Sequence, residues 1–133
     1  MKRLLVVPVA LLLLASLALS ADNTVPKAVQ DASVTVVSPN YGSGSGTVVI
    51  AKDQSVWVLT AAHVVAGLRE ESESVDSKTG AKRTKVSFKE AKIVRHIVEN
   101  GRTVGRLELD AEVVRYSSVA HHDIALLKLR RGM

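Results

Sequence analysis

The sequence predicts an all-β domain of about six short strands, closed as a small barrel or packed as a sandwich. Three observations carry that expectation. No segment sustains a 3.6-residue apolar period of useful length. Several runs are rich in β-branched residues or alternate in polarity, and Gly, Pro, Asn and Asp punctuate them. The chain contains no cysteine, so no disulfide framework can stand in for a packed core.

The first residues read differently. Lys2 and Arg3 precede an apolar stretch from Leu4 to Leu19 that only Pro8 and Ser16 interrupt, and Ala18 and Ser20 place small residues at alternate positions. That is the layout of a secretory signal peptide over residues 1–20, with cleavage expected after Ser20 and export to a periplasmic or extracellular space. A retained membrane anchor is the alternative, although the stretch is shorter than the roughly 20 apolar residues a span requires. Cleavage leaves 113 of the 133 residues, enough for one small domain. Residues 21–31 read as a loose polar leader and residues 32–133 as the domain.

Within the domain, "ASVTVVS" (Ala32 to Ser38) is a first strand by its β-branched content. Pro39 to Gly42 signals a turn, and "GSGSG" (Gly42 to Gly46) reads as a flexible connection. "TVVIAK" and "SVWVLT" flank Asp53-Gln54 and suit a β-hairpin. From Gly67 to Thr84 the chain is polar without apolar period, and a long exposed loop is expected. "KVSFKEAKIVRHIVEN" fits strand or helix. Asn100-Gly101 is a turn pair. After it, Leu107, Leu109, Ala111 and Val113 alternate with Arg106, Glu108, Asp110 and Glu112, the period of a half-buried strand. In "DIALLKLRR", Ala125, Leu127 and Leu129 oppose Ile124, Leu126 and Lys128.

Composition excludes several function classes. Cleavage removes Lys2 and Arg3, leaving 16 basic against 13 acidic residues, so the net charge falls from +5 to +3. That charge is mild and scattered, so no nucleic-acid partner is expected. Without cysteine there is no thiol nucleophile and no zinc–thiolate site.

Two residues stand out chemically. His63 follows an apolar strand and Asp123 opens another. A histidine beside apolar segments is often a satisfied structural residue, and an aspartate before a strand is often a cap. Both, however, sit at ends of predicted strands, where a rigid scaffold can hold a reacting group. A carboxylate that accepts a hydrogen bond from one imidazole nitrogen fixes the tautomer and stabilises the imidazolium formed in proton transfer. His plus Asp is two-thirds of a nucleophile-activating set.

Other constellations are weaker. His121 and His122 with Asp123 invite a metal, but adjacent side chains on an extended segment point to opposite faces. Ser43 and Ser45 in "GSGSG" flank Gly44 where a G-x-S-x-G nucleophile motif needs serine, so they read as linker residues. The acidic stretch Glu70 to Asp76 lacks the spacing and central glycine of a calcium loop. Neither a metal nor another cofactor is expected.

"SGTVVI…VWVLTAAHVV" resembles the histidine region of trypsin-like (chymotrypsin-fold) serine proteases, and "HDIALLKL" resembles their aspartate region. Both segments occur in the family's order, and the likeness spans Ala32 to Arg130. It implies the first six-stranded antiparallel barrel of a two-barrel fold, with the second barrel absent. It further implies serine endopeptidase chemistry, with His63 as general base, Asp123 as its orienting carboxylate, and a polypeptide substrate once a second barrel is supplied. The chain departs from the family in its nucleophile. The ten residues after Asp123 contain no serine. Ser117 and Ser118 precede Asp123 and lack the flanking glycines that would build an oxyanion hole. Little or no hydrolysis is expected from this polypeptide alone. Val64 stands where animal digestive members usually place a disulfide cysteine, which points to bacterial branches. The 60-residue spacing from His63 to Asp123 looks long, and the polar stretch Gly67 to Thr84 is expected to account for it. A truncated gene or a fragment of a longer product is the expected origin. The alternative is a non-catalytic exported binding module on the same barrel, with membrane contact only if the N-terminal segment is retained.

Overall fold

The structure is a computed structural model that describes residues 27–130, so the expected signal peptide, its cleavage site and the start of the leader lie outside the described residues. In chain order the elements are α1 (Lys27–Ala32), β1 (Ser33–Ser38), β2 (Gly42–Ile50), β3 (Val56–Thr60), α2 (Ala62–Val65) and a 3-10 turn (Ala66–Leu68). They continue with β4 (Arg69–Val75), β5 (Lys82–Phe88), β6 (Ala91–Glu99), β7 (Arg102–Ser117) and β8 (Ile124–Leu129). Six of the strands close into an antiparallel barrel in the order β1-β2-β3-β8-β7-β6. This is the barrel that the resemblance implies.

Period-2 alternation puts one side of each strand into the barrel. Val34 and Val36 of β1, Val58 of β3, Ala91 and Ile93 of β6, Ala111 and Val113 of β7, and Ala125 and Leu127 of β8 form the core. The alternation read in β7 and β8 is therefore real, with one limit. Leu107 is exposed because β6 and β7 run on past the barrel as a ribbon that turns at Asn100-Gly101. The ambiguous segment "KVSFKEAKIVRHIVEN" is extended, forming the end of β5 and all of β6.

Two loop expectations are corrected. "GSGSG" is not a connection but the first part of β2, paired residue by residue with β1 from Ser38↔Gly42 to Val34↔Gly46. The glycine at 46 is there because a side chain has no room. A Cβ on Gly46 would lie 2.7 Å from a Val58 methyl and 2.8 Å from a Val36 methyl inside the barrel. The polar stretch after Gly67 is likewise ordered, as a β4–β5 hairpin that pairs from Arg69↔Phe88 to Val75↔Lys82. All of β4, and β5 as far as Ser87, is exposed, so no apolar period marks the hairpin. Backbone pairing holds it, with the Ser72 and Ser74 hydroxyls donating across it to the Lys85 and Arg83 carbonyls. Its root is tied down where Lys89 N–H donates to the Leu68 carbonyl at 2.9 Å.

Part of the leader is helical. In α1 the Lys27 ammonium pairs with Asp31 at 2.8 Å, and Asp31 also takes the Arg95 guanidinium of β6 at 2.9 Å. Among the described residues, no helix is long and apolar enough to cross a membrane.

Candidate active site

The four residues Thr60 to His63 build one half of the site, each in a different way. The Thr60 hydroxyl at the end of β3 donates to the Ser45 carbonyl on β2 at 2.7 Å, fixing the strand end. Ala61 is still extended (φ −74°, ψ 142°) and caps the single turn of α2. Ala62 and Val65 face the core with no exposure at all. A larger residue at 62 would have to displace the barrel wall. His63, one step further round the turn, consequently points outward. The far end of the turn is anchored too, because the buried Ser38 hydroxyl donates to the Val64 carbonyl at 2.6 Å. That bond satisfies a carbonyl that the short helix leaves unpaired.

Asp123 comes from the opposite side of the sequence. The backbone N–H groups of His121, His122 and Asp123 all donate to the Ser118 carbonyl, at 2.9, 3.2 and 3.1 Å. This cinched turn leaves Asp123 with φ of 49°, a left-handed conformation that aspartate tolerates better than most residues. β8 starts at the next residue and pairs with β3. The barrel register thus brings the two halves together across neighbouring strands.

They meet through both oxygens of one carboxylate. Asp123 Oδ1 accepts the backbone N–H of His63 at 2.9 Å, and Oδ2 lies 2.8 Å from His63 Nδ1. A carboxylate only accepts, so Nδ1 carries the proton in this contact, and in the neutral ring Nε2 keeps its lone pair. The His63 side-chain bond, then the backbone N–H groups of His63 and Ala62, hold the Asp123 carboxyl below its ordinary value. The pair is open to solvent: the side chain of His63 is 63% exposed and that of Asp123 33%. Among the described residues, no hydroxyl is hydrogen-bonded to His63 Nε2.

The structure brings His63 and Asp123 together and leaves the other candidates apart from them. His122 Nδ1 lies 3.2 Å from the Ser117 hydroxyl. Among the described residues, no three His, Cys, Asp or Glu side chains cluster as a metal site would need. Ser43 and Ser45 lie in β2. The stretch Glu70 to Asp76 is strand β4 and the start of a turn, in which Asp76 accepts the Lys78 N–H at 2.9 Å. Sequence reasoning missed the Ser38 and Thr60 clamps. Thr60 lies within the segment VWVLTAAHVV that carries the resemblance, but the Ser38 bond joins residues 26 apart and carries no local signal.

A family model described as Trypsin matches residues 22–133. Searches of curated proteins and of solved structures gave no match.

Proposed function

Since this chain belongs to the trypsin family, we propose that it carries the base half of a serine-type endopeptidase centre in an exported, bacterial-type protein. The observation that supports this reading is the double engagement of His63 by Asp123, at 2.9 Å to its backbone and 2.8 Å to its ring. In the reaction, a serine hydroxyl supplied by a second barrel gives its proton to His63 Nε2 as its oxygen attacks the scissile carbonyl. His63 then returns that proton to the leaving amine, while Asp123 holds the ring and stabilises the transient imidazolium. Donors for the oxyanion belong to that same second barrel.

The test has two arms. The chain alone is expected to hydrolyse a fluorogenic peptide no faster than buffer does. If the nucleotides after codon 133 encode, in frame or after a frameshift, a barrel bearing a G-x-S-G-G segment, supplying that barrel should produce hydrolysis that His63→Ala abolishes. Full activity in His63→Ala would remove His63 from the mechanism. Absence of any such encoded segment would overturn the protease reading. The second reading would then hold, that of a non-catalytic exported module, favoured by His63 Nε2 having no hydrogen-bond partner among the described residues. It expects a monomeric chain that melts cooperatively and hydrolyses nothing.

A further inference from the structure

A groove of about 670 Å³ opens between the root of the β4–β5 hairpin and the end of β7, within the size range of small-molecule sites. Its charge is one-sided. Arg69, Arg115 and His121 line it, together with the Ser118 hydroxyl, and no aspartate or glutamate is among its lining residues. Arg69 is already paired with Glu71 on its own strand. Arg115 forms no ion pair among the described residues, which leaves its guanidinium fork for a ligand. Beside these groups the rings of Phe88 and Tyr116 meet at 5.1 Å between centroids, tilted by 46°, and give the groove an aromatic surface.

We propose that this groove binds a small aryl oxyanion, in which a carboxylate or phosphate is carried on a flat apolar ring. The planar fork of Arg115 matches two oxygens of either group, and charge-assisted bonds of that kind are among the strongest available to a protein. The ring packs against Phe88 and Tyr116, where offset or edge-on aromatic contacts add to the area buried. Neither His63 nor Asp123 lines the groove, so the inference is independent of the protease reading. The turn from Ser118 to Asp123 nevertheless belongs to both places.

Titration of the full chain with benzoate and with phenyl phosphate, followed by amide NMR shifts, tests this. Saturable shifts are expected at Phe88, Arg115, Tyr116 and Ser118. Benzyl alcohol, which has the ring without the charge, and inorganic phosphate, which has the charge without the ring, should each bind at least about tenfold more weakly. Arg115→Gln should weaken both aryl anions about tenfold or more, and Arg115→Lys, which keeps the charge and loses the fork, should fall between. Both changes sit on an exposed side chain, and an unaltered spectrum elsewhere reports an intact fold. The proposal is overturned if neither aryl anion shifts these amides, or if Arg115→Gln binds them as the unsubstituted chain does. Equal binding of benzyl alcohol or of inorganic phosphate would overturn it as well.

Discussion

Asp123 contacts one histidine twice, and the contact to the backbone determines what a substitution would do. With one oxygen committed to the His63 N–H, only the other faces the ring. In Asp123→Asn, the amide oxygen can keep the backbone bond, and its NH2 must then face Nδ1. Nδ1 becomes an acceptor, the proton moves to Nε2, and the base is lost. In a reconstituted enzyme the expected cost in kcat is about 10⁴, the figure for established Ser-His-Asp triads. Nitrogen-15 shifts of the imidazole check the cause directly, since the protonated nitrogen should switch from Nδ1 to Nε2. The same contact makes a pH prediction. The folded carboxyl lies below its ordinary value, so its contribution to stability is fully present above the unfolded aspartate value of about 3.9 and is lost as pH falls through the lower folded value. Melting the chain and Asp123→Asn across a pH series should give a Tm gap that is constant above about pH 5 and closes at lower pH. A gap that persists at pH 2 would show that the carboxylate charge is not its source. The pair itself was legible in the sequence because T-A-A-H and D-I-A-L-L-K are contiguous segments. The Ser38 clamp was not, because a serine ending a strand looks the same whether or not a helix end lies across from it.

At the scale of elements, legibility followed burial. β8 was read correctly down to its faces, since Ala125 and Leu127 are wholly buried while Ile124 and Lys128 are exposed. Leu127→Ala should accordingly cost about 2–5 kcal/mol, measured by denaturant unfolding. β2 was misread because glycine and serine signal turns by local propensity, whereas here closure of the barrel selects small residues. Gly46→Ala checks that explanation. If room inside the barrel is the reason for the glycine, alanine should destabilise by about 1–3 kcal/mol, and a neutral or stabilising result would return the segment to a question of turn chemistry. The β4–β5 hairpin was invisible for the opposite reason, having almost no buried face to impose a pattern. Its outer part should also be dispensable. Joining Ser72 directly to Lys85 through Asn-Gly keeps a cross-strand pair at the new turn, and should change stability by less than about 1 kcal/mol.

For the whole molecule, the spacing between His63 and Asp123 is taken up in part by the polar stretch after Gly67, as the sequence suggested, and in part further along the chain. Two antiparallel excursions fill it, the β4–β5 hairpin and the β6–β7 ribbon, and both return the chain to the barrel in register. The barrel's own surface carries the remaining constraint. Val49 on β2 lies beside Trp57 on β3, and Leu59 lies beside Leu126 on β8, with Ile124 on the same face next to Asp123. Val49, Leu59 and Ile124 are 45%, 43% and 48% exposed, so a continuous apolar stripe reaches from β2 to the candidate site. Monomeric proteins seldom leave such a stripe open, and water favours covering it. Where nothing else covers it, copies of the chain should cover one another. Light scattering behind a sizing column is expected to show mass rising with protein concentration. Val49→Thr with Leu59→Thr, which puts a β-branched, strand-compatible side chain at both positions while removing apolar surface, should shift the chain toward monomer without moving His63 or Asp123. If the unsubstituted chain stays monomeric over the same range, the stripe is too weakly apolar to drive association, and the expectation that this face needs a partner fails with it.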